Sequence, residues 1–504
     1  MRLYSMNAGY ARARMVPAGA VVAAVALITG CGSQYRPVVT PVNSSGPAAQ
    51  PTSYAVVVSA PSTITPGIVT IIDYSGDTVM AQAPIGPGPT TFTIDQTGTT
   101  GYTVNSDGTI TNFPISTSLQ AKSVTYTTLL TTSKPVGLFT PTAGLWIADL
   151  DGNVADVFTG SPQTFKLAIP VATTPVMIGG SSAIGQRNYA ISQNFDAPSG
   201  TVPNGVACNL SPTTAPVNGE ADALETSTYT LSARIPLGKC PVFAVQGTDN
   251  KRFFVLNRGS DTVTVINSQN NTLNSCTPFT DPETGRTVTC HPTLPLSTTA
   301  VTATGITPPN GTSGMTAHAG PVYAEYSATT SKLVVANYDG NSISVIDVSL
   351  DEYGNDSPTF GATFTIPVGN NPASVTVLTD ASRAYTANQT DGTVTIVNLS
   401  SHTVEKTLPV IGHPRTVVST QNSSYGKVYA ASPDSPYLTI IRTDQDIVDT
   451  TVLVEGNIVD VRVTTSNAVS GNSNSISRSP GHGQPCYLPG ATAAATLASC
   501  QTLP

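Results

Sequence analysis

The stretch RAYTANQTDGTVTIVN (383–398) carries the pattern that decides the fold. An apolar run from Arg383 ends in Asn388, and a turn containing Asp391 and Gly392 follows. Thr393, Val394, Thr395, Ile396 and Val397 then alternate, which is the period-two signature of a strand lying between two neighbours. Asn, Asp and Gly tolerate positive φ and bond their own backbone, as a tight hairpin demands. The same unit recurs as GYTVNSDGTITNF (101–113), GLWIADLDGNVADVF (144–158), RFFVLNRGSDTVTVIN (252–267), KLVVANYDGNSISVID (332–347) and KVYAASPDSPYLTIIR (427–442). Weaker copies lie at 54–73 and from 187.

A second marker keeps the register. Pro89, Pro135, Pro175, Pro241, Pro321, Pro372 and Pro414 each open another apolar strand, where the missing N–H does no harm. Their spacings are 46, 40, 66, 80, 51 and 42 residues, and a base period of about 40–50 suits a four-stranded propeller blade. The copy at Tyr54 lacks a Pro-type strand before it, whereas NIVDVRV (457–463) is one strand too many after the last copy. Pairing the two closes a ring and removes both sheet edges. The expectation is an all-β, β-propeller fold of four-stranded antiparallel blades, with eight favoured over seven. A two-sheet sandwich is the rival. No helical period of useful length supports a parallel α/β fold.

Tyr385-Thr386-Ala387-Asn388, Val334-Val335-Ala336-Asn337, Phe254-Val255-Leu256-Asn257 and Tyr102-Thr103-Val104-Asn105 resemble the motif of YVTN-repeat β-propellers of bacterial surface and exported proteins. IPVGNNPASVTVLTD (366–380) and LPVIGHPRTVVST (408–420) match that family's connection between blades. The resemblance is specific over about 250–465 and weaker over 54–245. It implies a shape rather than a reaction, so function has to be argued from a site.

Composition agrees with this reading. Only 10% of the 504 residues are charged, against an ordinary share of roughly 25%, while Gly (42) and Pro (40) are abundant. Coiled coils, helical solenoids and nucleic-acid binders need more charge than this. Residues 1–30 carry Arg2, Arg12 and Arg14, no acid, and the apolar run VVAAVALITG, which reads as a signal peptide. Leu27-Ile28-Thr29-Gly30-Cys31 resembles a bacterial lipobox, which implies lipid attachment at Cys31 and a membrane partner. Residues 32–53 read as a Pro/Ser-rich tether. Gly32, in place of Asp, favours the outer membrane by resemblance to Gram-negative lipoproteins. The propeller is expected over 54–465 and a polar tail over 466–504.

Six cysteines remain once Cys31 is assigned. In an exported chain they read as disulfides, and neighbour pairing gives Cys208–Cys240, Cys276–Cys290 and Cys486–Cys500 among 15 connectivities. Insertions tied down by these bonds are expected near 193–240 and 270–315. No C-x-x-C is present and none of the five His is spaced for zinc, so no metal or cofactor is expected. His318 and His413 approach Pro321 and Pro414 and are candidates for one mouth of the channel. His291, His402 and His482 carry no motif. Asp149, Asp151 and Asn153 begin like a calcium loop but lack its closing Glu, so an Asp-Gly turn is the better account. The single Trp146 sits at a core position and does not fit a quinone-stacking propeller. With no G-x-S-x-G elbow and no phosphate loop, no catalytic residue is assigned. The leading expectation is an envelope-anchored binding scaffold for a protein, peptide or glycan. The alternative is a propeller enzyme of lactonase or dehydrogenase type, which would gather three or more ionisable side chains at one channel mouth.

Overall fold

The computed structural model describes residues 53–130, 133–141, 144–180, 187–194, 218–247, 251–282, 285–296, 319–420 and 422–464. Residues 1–52 and 465–504, where the signal peptide, nearly all of the tether and the polar tail are expected, lie outside these residues, as do Cys208 and His318 and, within those two ends, Cys31, Cys486, Cys500 and His482. The described chain folds as eight antiparallel sheets in a ring, each with four strands on its main path. Blade 1 combines Tyr54–Ala60, Pro66–Asp73 and Thr78–Pro87 with the C-terminal Asn457–Val463. The first strands of blades 2 to 8 are Pro89–Ile94, Pro135–Phe139, Pro175–Gly180, Pro241–Gln246, Pro321–Ser327, Pro372–Val377 and Thr416–Ser419. Each first strand packs on the next, and Asn457–Val463 packs on both Thr416–Ser419 and Pro89–Ile94, so the cycle is unbroken. This is the closed propeller expected from the surplus strand.

The prolines mark a repeated local event. Six of them pair with the last residue of the second strand, as Pro372 does with Asn388, and the register then slips by one residue. The slipped residue forms a bulge, which turns the strand sharply into the ring. The chain reaches five of these prolines through a left-handed residue: Gly88, Thr174, Cys240, Gly320 and Asn371. At Gly320 (φ 59°) no side chain would fit, since a Cβ would stand 1.9 Å from Asp339 Oδ2.

The Asn that ends the second strand clamps the third. Asn388 Nδ2 donates to Thr393 Oγ1 (3.0 Å) and Thr395 Oγ1 (2.7 Å). Asn105 does the same with Thr109 and Thr111, Asn257 with Thr262 and Thr264, and Asn337 with Ser342 and Ser344. All four Asn are buried, so the side chain satisfies polar groups that would otherwise be costly between blades. Blades 3 and 4 depart from this. Their second strands end in Asp149 and Ser192, and the clamped hydroxyl position, paired two residues back, is held by Asp156 and Asp222. Ser133 Oγ lies 2.8 Å from Asp149 Oδ2 and 3.2 Å from Asp156 Oδ2. Burial pushes Asp156 up to about 6, Asp149 adds to the rise, and Ser133 opposes it. Burial also lifts Asp222 to about 6, against the hydrogen bond from the Ala172 N–H.

Two long sequence intervals are resolved differently from a simple insertion count. Residues Asn218–Glu225 and Thr230–Lys239 are the third and fourth strands of blade 4, so its extra length lies between 194 and 218. In blade 5 the fourth strand is split. Thr272–Leu273 pairs with Ile266 and Asn267, and Thr293–Pro295 pairs with Thr262 to Thr264. Cys276–Cys290 forms as expected between these halves, with 5.5 Å between Cα atoms, and so closes the neck of the excursion. Asp356 of blade 6 fastens it, accepting from Arg252 Nη2 (3.1 Å), Asn274 Nδ2 (2.8 Å) and the His291 N–H (2.9 Å). Trp146 is buried in the second strand of blade 3 and stacks on Tyr229.

Candidate binding site at the channel mouth

The first strands line the ring axis and differ around it. In blades 3 to 5 they are apolar, with Leu138, Phe139, Met177, Ile178, Phe243 and Val245 all buried. Several of these residues surround a cavity of about 10 Å³ beside Gln246, which has room for no more than one water. In blades 7, 8 and 1 the same strands are threaded with polar groups. Ser374 Oγ donates to the Arg415 carbonyl (2.9 Å) and accepts from the Val417 N–H (3.0 Å). Thr376 and Ser419 hydroxyls meet at 3.0 Å.

The bulge residues form the rim at the end where first strands begin. They are Thr90, Val136, Val176, Val242, Val322, Ala373 and, beside the displaced register of the closing strand, Val459; Arg415 directly precedes the first strand of blade 8. Thr90, Val136, Val322, Arg415 and Val459 keep some exposure, whereas the strand residues beyond them are buried. Arg415 Nη2 donates to the Val459 carbonyl at 2.8 Å.

Behind Arg415 the closing strand places Asp460 and Arg462, both buried. Arg462 Nη2 donates to Asp460 Oδ2 (2.6 Å), while Thr416 Oγ1 (3.0 Å) and the Val461 N–H (2.9 Å) donate to Oδ1. Burial raises the Asp460 carboxyl, and the two guanidiniums pull it back. Burial lowers Arg415, Asp460 opposes this, and the like charge of Arg462 adds to it. NIVDVRV reads as an apolar closing strand, yet Asp460 and Arg462 stand two apart on one of its faces. In a strand buried on both faces, that spacing is the signal of a paired charge.

His413 lies in the connection that leads into the first strand of blade 8 and is 60% exposed at its side chain. Its N–H (2.8 Å) and Nδ1 both engage Asp434 of the same blade's second turn. Burial alone would raise the Asp434 carboxyl, but the bonds from His413 hold it below the usual range. His402 is a left-handed turn residue stacked on Phe364. Asp149 Oδ1 accepts from the Lys134 and Gly152 N–H groups and Asn153 takes positive φ (52°), as an Asp-Gly turn requires. Among the described residues no group of three or more His, Cys, Asp or Glu is placed to hold a metal ion. No described helix is long and apolar enough to cross a membrane.

No protein-family model and no curated protein matches the chain. Solved structures do. Apo AztD from Citrobacter koseri is similar with a TM-score of 0.53 at 11% identity, covering 82% of this chain and 97% of that one. The dihydro-heme d1 dehydrogenase NirN in complex with DHE gives 0.55 at 12% identity, covering 84% and 77%. At such identities the likeness concerns the fold, and it is that of a β-propeller.

Proposed function

We propose that the chain is an exported envelope lipoprotein, acylated at Cys31 and tethered through residues 32–53, whose YVTN-type propeller is a binding scaffold for a protein, peptide or glycan. The observation that carries the binding reading is the chemistry of the mouth. Of Arg415, Asp460 and Arg462 only Arg415 keeps some exposure, and two of the three are guanidiniums, which hold a fixed charge and do not trade protons near neutral pH. Such a set suits holding a ligand better than general acid–base work. A second support is topological. The intervals 195–217 and 297–318 fall in a second-to-third strand turn of blade 4 and in the link from blade 5 to blade 6. Both junctions belong to the end of the ring that carries Arg415, and insertions on one face of a repeat scaffold commonly form its binding face.

In-cell cross-linking of the full chain should return a reproducible envelope partner, and shortening both intervals should abolish it. Fatty-acid labelling should mark the wild type and not Cys31→Ser. Unchanged capture after both intervals are shortened would sink the scaffold reading, and unlabelled wild type would sink the anchor.

A further inference from the structure

We propose that the end of the ring at which second strands begin rests on a phospholipid membrane, held there by a girdle of exposed apolar side chains. This deepens the proposed anchoring and rests on it, since an acylated Cys31 brings the bilayer within reach. The girdle recurs once per blade. With Thr272–Leu273 counted for blade 5, the second residue of each of the eight fourth strands is Val, Tyr, Phe or Leu. Six of these residues stand opposite the next-to-last residue of a third strand, as Val404 does opposite Val397, and so share one end of the ring. Val79, Tyr126, Phe165, Phe364, Val404 and Val448 are exposed, while Leu231 and Leu273 are half-buried. Phe364 lies flat against His402, the turn residue of the next blade. Tyr425, in the turn into the second strand of blade 8, is 81% exposed. Outer strands facing only water are usually blunted with charge at such positions. Apolar side chains with aromatic members suit the boundary between water and lipid.

The entry of the chain and the charges point the same way. Tyr54 opens a second strand, pairs with Asp73 at the close of the third and bonds Thr464, so residues 32–53 join the ring at its girdled end. Acids of this end are largely met within it. Arg187 pairs with Glu225, Lys332 with Asp347, Arg383 with Asp446, Lys427 with Asp77 and Arg442 with Asp444. Asp73, Asp95 and Asp380 accept from hydroxyls and N–H groups of their own turns. With those cations engaged, the face has no basic patch for an anionic headgroup layer. It fits a zwitterionic one, into which apolar side chains are drawn by the hydrophobic effect. The end that carries Arg415 then points away from the bilayer, open to a partner.

Photocross-linking from lipid tests this on the full-length chain. The protein is reconstituted in phosphatidylcholine vesicles doped with a diazirine-bearing phosphatidylcholine, and adducts are located to residues by mass spectrometry. Tyr126, Phe364, Val404 and Tyr425 should carry at least about tenfold more adduct than Ile64, Ile411 and Leu453, which are exposed and apolar at the opposite end, because burying one such side chain corresponds to roughly tenfold in an equilibrium. Replacing Tyr126, Phe364 and Tyr425 together by Ser should lower labelling at Val404 by at least about tenfold. Should that variant fail to fold, Tyr425→Ser alone, on an open turn, should lower it severalfold. Exchanging part of the lipid for phosphatidylglycerol should not raise it. Equal labelling of both ends in acylated protein, labelling unmoved by the substitutions, or a rise with phosphatidylglycerol would each overturn the inference. A girdle that stays unlabelled, but whose substitution abolishes self-association or partner capture, would overturn it too and assign the surface to a second copy or a protein. A girdle labelled on protein without lipid at Cys31 overturns the anchor alone.

Discussion

Blades 7 and 3 solve one problem in two ways. Both must bury the polar end of a second strand against a third. Blade 7 does it with neutral groups, Asn388 donating to two threonine hydroxyls. Blade 3 does it with Asp149 and Asp156 sharing the reach of Ser133. The neutral clamp satisfies its donors at any pH. The acidic version sets two carboxyls together in a buried place, and Asp156 answers by holding its proton to about 6. Blades of one ring can therefore share a backbone and differ in how their stability depends on solution conditions.

The largest effect is expected from removing the neutral clamp. Asn388→Ala removes the donor shared by half-buried Thr393 and buried Thr395, leaving Thr395 only its contact with Thr407, and should cost about 1–3 kcal/mol in urea unfolding. A loss of only a few tenths would mean that the clamp follows the hairpin rather than holding it. Next comes the acidic version. Because Asp156 is raised in the folded state, the native chain binds more protons than the unfolded one between pH 4 and 6. Its contribution is fully present below the unfolded carboxyl pKa of about 3.9 and is lost as pH rises towards 6. Asp156→Asn should therefore match wild type near pH 4 and exceed it by on the order of 2 kcal/mol at pH 7. Asp222 should retain a similar slope in that variant, since it too is raised to about 6. Identical pH profiles for wild type and Asp156→Asn would refute the assignment.

Converting blade 3 to the neutral arrangement, with Asp149→Asn and Asp156→Thr together, should raise stability by about 1 kcal/mol at pH 7 and flatten the profile. Destabilisation at pH 7 would show that the Lys134 and Gly152 N–H groups need a full carboxylate. The smallest change is expected at the exposed pair. His413→Ala should cost no more than about 0.5 kcal/mol. Asp434 is held low in the fold, so its share is present above the unfolded pKa and vanishes as pH falls below it.

Much of this architecture is legible in the sequence because the features that write it are local. The turn residues have to tolerate positive φ, and Asn153, Asp261 and Asn341 all adopt it. The prolines sit where a bulge removes the need for an N–H, so they mark first strands without ambiguity. Fourth strands are harder. Thr403–Pro409 is exposed along most of its length, and an edge strand facing solvent carries no apolar alternation to read. The split strand of blade 5 is harder still, because its halves are two and three residues long and 19 residues apart. The mouth was legible only in part. His413 precedes Pro414 and is read as part of a blade connection, but the meeting of Arg415 with the closing strand that carries Asp460 and Arg462 is made only when the ring joins the two ends of the chain.

The bond between the two ends of the chain has a consequence for how the molecule comes into being. Tyr54 N donates to Thr464 Oγ1 at 2.7 Å across 410 positions of sequence. The hairpin of Tyr54–Ala60 and Pro66–Asp73 therefore leaves the ribosome long before the strand that completes its blade. Until Asn457–Val463 arrives, Tyr54–Ala60 presents an unpaired row of backbone donors and acceptors, which is a template for the wrong strand. Contacts of such long range make for slow folding, and a chain cut short before 457 would carry that open edge for its whole life.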